Sequence, residues 1–109
     1  MHKTFFAAAF TFSATAALAD SFIMGPGRWT CQQVVAAAEG TDNVQKGQVV
    51  GWVLGYWSRS TEGRGDAFVD TVEKVGGRKI FEITVDRCRN SDPETPLFRV
   101  ARSMVKNTK

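Results

Sequence analysis

Histidine is almost absent from this 109-residue chain: His2 is the only one. Residues 1–19 read as a cleavable leader, so the processed chain is expected to contain none. That removes the usual general base, the commonest metal ligand and the ordinary near-neutral pH switch. Ser58 and Ser60 then have no imidazole to activate them, and the carboxylates Glu82 and Asp86 read as surface ion-pair partners rather than as an acid–base couple. No nucleophile–base pair, phosphate loop or metal-ligand cluster stands out, and the chain is read as a non-enzyme without cofactor or metal. A strong excess of either charge is also missing. Fourteen Lys and Arg against eleven Asp and Glu give a formal +3, too small and too mixed for a nucleic-acid binder. Apolar runs of the ~20 residues needed to span a membrane are missing too. Cysteine is scarce, with two in all.

What is present begins with an export signal. Met1-His2-Lys3 is a short positive start, Phe5 to Leu18 is apolar and alanine-rich, and Ala17-Leu18-Ala19 before Asp20 is a small-x-small cut site. Cleavage after Ala19 and a periplasmic location are expected. In an oxidising compartment two cysteines read as one disulfide, Cys31–Cys88, the single pairing available. The remaining length suits one small domain that gains from a staple.

Asp20 to Arg28 reads as a flexible arm, because Gly25-Pro26-Gly27 is poor helix material. A single helical domain is expected over 29–109. Thr30-Cys31-Gln32-Gln33 fits a capping box. Cys31, Val34, Val35 and Ala38 share a face, and Gly40 is the stop. A second helix is expected from Val44 or Gln45 to Ser60. Val49, Trp52, Val53 and Tyr56 form one stripe on it; Val50, Leu54 and Trp57 form another. With apolar residues on most sides, this helix reads as buried all round, or buried partly against another molecule. Gly47, Gly51 and Gly55 recur every four residues and predict a tight helix crossing, since glycine inside a helix costs about 1 kcal/mol against alanine and needs a packing reason.

Thr61 to Asp66 reads as a loop. Its Arg64-Gly65-Asp66 triplet is too short to imply adhesion. Ala67 to Val75 reads as a strand-like or short helical connector, broken by Gly76-Gly77. In Arg78 to Asn90, Phe81, Ile83 and Val85 alternate at strand period, while Phe81, Val85 and Cys88 also fit a helical face. Helix is preferred, because a lone strand has no partner. A turn with Pro93 leads to a last helix capped by Thr95 with Pro96 at its first position. Leu97, Val100, Ala101 and Met104 line its inner face; Arg99, Arg102 and Lys106 lie outside. The fold class expected is all-α, a small disulfide-closed bundle of about four helices.

Trp29-Thr30-Cys31-Gln32 opening a helix, the Gly51-Trp52-Val53 core of the second helix, and Cys88 followed by Pro93 and Leu97 together resemble the HdeA/HdeB family of periplasmic acid-stress chaperones. The resemblance spans Trp29 to about Val105. It implies a small helical fold with the Cys31–Cys88 disulfide and a homodimer near neutral pH. On acidification such proteins dissociate, partly unfold and hold unfolded or acid-damaged periplasmic proteins without ATP. The corresponding apolar segment here is Val49 to Trp57, so Val49, Val50, Trp52, Val53, Leu54, Tyr56 and Trp57 are the candidate client-binding or dimer-interface residues, although such a stripe also suits a core. The Thr61–Asp66 loop, the Gly76-Gly77 pair and the slightly basic charge depart from the better-known members.

An acid trigger in a chain without histidine must be carboxylates. All eleven lie beyond Ala19, whereas Lys3 is the one basic side chain before it. Carboxylates paired with Arg or Lys would stabilise the fold above their unfolded pKa and lose that effect as pH falls. The alternative is a periplasmic binding, inhibitor or immunity-type module that keeps the same helix as a permanent interface for a fixed protein partner.

Overall fold

The reciprocal bonds of a capping box start the first helix. The Gln33 backbone N–H donates to the Thr30 hydroxyl at 3.2 Å, and the Thr30 N–H donates to Gln33 Oε1 at 2.9 Å. The computed structural model describes residues 22–109. The expected leader and its expected cut after Ala19 lie outside the described residues. Within them a 3-10 turn, Gly25–Arg28, precedes five helices: α1 (Cys31–Glu39), α2 (Asn43–Thr61), α3 (Asp66–Val75), α4 (Gly77–Arg89) and α5 (Leu97–Lys106). No strand occurs among the described residues, so the molecule is a small all-α bundle. No described helix is long and apolar enough to cross a membrane.

The disulfide joins α1 to α4, bridging a sequence separation of 57 with a Cα–Cα distance of 4.9 Å. Both cysteines are buried. In the chain-entropy model such a closure stabilises by roughly 4 kcal/mol. The α1 start is also tied to the α5 start. The Cys31 N–H donates to the Thr95 carbonyl at 2.7 Å, and the Leu97 N–H donates to the Trp29 carbonyl at 2.9 Å. These bonds occupy groups that helix ends otherwise leave unpaired. They also displace the expected cap: Pro96 itself is the N-cap, with no side-chain cap bond, and α5 begins one residue later, at Leu97. Its inner face is as expected, with Leu97, Val100, Ala101 and Met104 buried, and Val105 joining them.

Glycine ends α1 at Gly40, but in extended backbone rather than a left-handed turn. A Cβ there would press on the Ala36 carbonyl oxygen at 2.9 Å. Asp42 starts α2, its carboxylate accepting from the Val44 and Gln45 N–H groups at 3.0 and 3.1 Å. Of the two readings open for the stretch after Gly65, the helical one holds. Phe68 anchors it by stacking on Trp57, ring centroids 6.4 Å apart and 9° from parallel. That makes five helices where about four were expected. Gly76, at φ 81°, provides the sharp break to α4 in a conformation that side chains disfavour.

Helix wins over strand in Arg78–Asn90. The buried residues of α4 are Ile80, Thr84, Val85 and Cys88, at helical spacing, facing α1, α2 and α5. Thr84 is fully buried, yet it lies on the outward side of the strand alternation. Its hydroxyl donates to the Ile80 carbonyl at 2.7 Å and so costs the core no unpaired donor.

Candidate functional site

The seven candidate residues of α2 divide by their angle around the helix. Val49, Val53 and Trp57, four apart, point into the core at 0%, 0% and 5% exposure. Val50, Trp52, Leu54 and Tyr56 flank them, half-buried. Positions two residues apart on a helix differ by about 200°, so the line Gly47, Gly51, Gly55 must face away from the core line. It does: all three glycines are exposed, and a Cβ on any of them would meet nothing within 4 Å. The expected crossing at these glycines is therefore not made within the chain, and α2 is not buried all round.

Close approach occurs instead at glycines outside α2. A Cβ at Gly27, in the 3-10 turn, would overlap the Trp52 indole. One at Gly77 would come within 3.1 Å of the Leu54 side chain. Trp52 thus lies under the arm, stacked on Tyr56 at 5.1 Å and 24°. The arm expected to be flexible over residues 20–28 is docked from Gly25 onward, against α2 and α5.

This docking adds two residues to the site. Phe22 and Met24 are 76% and 66% exposed, among the described residues the most exposed large apolar side chains apart from Val44. With Trp52 and Tyr56 they border a shallow groove floored by Gly51 and Gly55, with Arg59 at one side. Neither was singled out from sequence, because an isolated Phe or Met in a polar arm carries no periodicity. The one available signal was their position next to Gly25-Pro26-Gly27.

Polar ties between helices are few. Among the described residues the salt bridge joining two helices is Arg89–Glu39, between α4 and α1, and both side chains are about half exposed. Arg59–Glu62 and Lys79–Glu82 are local and exposed. Such pairs contribute about 0–1 kcal/mol each. The bundle is therefore held by apolar packing and the disulfide. Ser60 donates to the Tyr56 carbonyl at 2.8 Å, a helix-local bond. Arg64 of the Arg-Gly-Asp triplet lies 3.8 Å over the Phe68 ring. No group of three His, Cys, Asp or Glu among the described residues is placed to hold a metal ion.

No family model, curated protein or solved structure matches this chain. What the chain does is carried by its own residues and their arrangement.

Proposed function

We propose that the processed chain is a periplasmic, ATP-independent holdase that exposes apolar surface in acid and binds unfolded proteins, the activity implied by its resemblance to the HdeA/HdeB chaperones. The observation that carries this reading is the half-covered aromatic face of α2. Trp52 is sheltered by the 3-10 turn, with Tyr56 stacked on it and exposed Phe22 and Met24 beside them. Lifting this turn uncovers ring surface without dismantling the Val49–Val53–Trp57 core. Apolar surface of this kind is what an unfolded client offers in return.

Acid supplies the opening force through charge. Protonating the eleven carboxylates leaves the Lys and Arg side chains unopposed, and their repulsion destabilises a compact state. The disulfide keeps α1 and α4 together as the rest opens. Light scattering of an aggregating client at about pH 2–3, where acid-expanded states form, tests the idea. The oxidised protein should suppress aggregation, and the Trp52→Ser, Tyr56→Ser double variant should suppress it less. Absence of suppression by the unaltered protein would rule out this function.

A further inference from the structure

A second feature lies on the other side of Trp57. A cavity of about 170 Å³ opens between α2, α3, α4 and α5. Its deeper wall is apolar: Trp57, Val72, Ile80, Ile83 and Met104. That volume is close to the roughly 150 Å³ of a cavity known to take one benzene ring. Val75, 41% exposed, stands at the mouth.

What separates this cavity from a packing defect is charge. Arg87 borders the cavity and is exposed, and no carboxylate among the described residues lies within salt-bridge distance of its side chain. The same arginine also borders the neighbouring cleft over α4 and α5, shared with Arg99 and one carboxylate, Asp86. A hydrocarbon occupant would draw nothing from that guanidinium, whereas one carrying a carboxylate would.

We propose that this cavity binds a small apolar monocarboxylate, its ring or chain of about six carbons filling a space that suits one benzene ring and its carboxylate meeting Arg87. An apolar well with one convergent charged group is the usual form of a small-ligand site. Arginine suits a planar carboxylate, which it can hold by two parallel hydrogen bonds.

Calorimetric titration of the oxidised protein at neutral pH with hexanoate, hexanol and hexylamine tests the site. Hexanoate has about eight non-hydrogen atoms, so saturable binding at roughly 0.1–1 mM is expected. Hexanol should bind at least about tenfold more weakly, and hexylamine more weakly still, if the charge-assisted contact is made. Arg87→Gln should cost hexanoate about tenfold and leave hexanol unchanged. Val75→Trp, at an exposed position, should close the mouth to both. Hexanoate binding no tighter than hexanol, or unchanged by Arg87→Gln, overturns the proposal, as does the absence of saturable hexanoate binding. None of these outcomes bears on client holding in acid.

Discussion

The two sides of α2 are built from residues that alternate along one stretch of sequence, yet they behave as different materials. One side, Val49, Val53 and Trp57, is buried. The other, Gly47, Gly51 and Gly55, faces open space, with the half-covered Trp52 and Tyr56 on its flank. The first side holds the fold, and the second leaves the molecule with a backbone and ring surface that its own chain does not fill. Apolar composition along a helix therefore says little about stability until the angle of each residue is known.

Substitutions can break or sharpen that contrast. The largest effect is expected from Val53→Asp, which places an unpaired charge at a fully buried position. It should cost on the order of 4 kcal/mol or more and leave the chain unfolded at neutral pH by far-ultraviolet circular dichroism. Replacing both Cys31 and Cys88 by Ala should cost about 4 kcal/mol, read from the urea midpoint against the oxidised parent. It removes the tether without touching either side of α2. Gly27→Ala should cost roughly 2 kcal/mol by overpacking, because the added methyl overlaps Trp52, and tryptophan emission should shift as the arm lifts. Gly51→Ala is the smallest change and has the opposite sign. With open space around it, it should stabilise by up to about 1 kcal/mol. A loss of stability there would instead mean that another molecule, a second copy included, packs closely against the glycine line in solution.

Much of the fold is legible in the residues themselves. The Thr30–Gln33 box, the stop at Gly40, the disulfide and the inner face of α5 all follow from local chemistry that acts within a few positions, or from a count with one solution. The helix at Asp66–Val75 was less legible. It is anchored by Phe68 against Trp57, a contact between residues of different helices. The α5 cap was misplaced for a similar reason: Thr95 gives its carbonyl to Cys31, and Leu97 its N–H to Trp29, so strand-like pairing between distant segments replaces a side-chain cap. Of the seven candidate residues on α2, sequence could name the set but not divide it, and it missed Phe22 and Met24 altogether.

Local sequence by itself determined that this chain is helical, where most of its helices begin and end, and that Cys31 and Cys88 are its one possible bridge, because capping, periodicity and a two-member pairing need no knowledge of distant neighbours. Tertiary structure alone decided which of the α2 residues became core, that Gly27 and not Gly51 is the point of close approach, and that an arginine-edged cavity lies beside Trp57. Each of these depends on the direction from which another segment arrives, and no single stretch of sequence carries that direction.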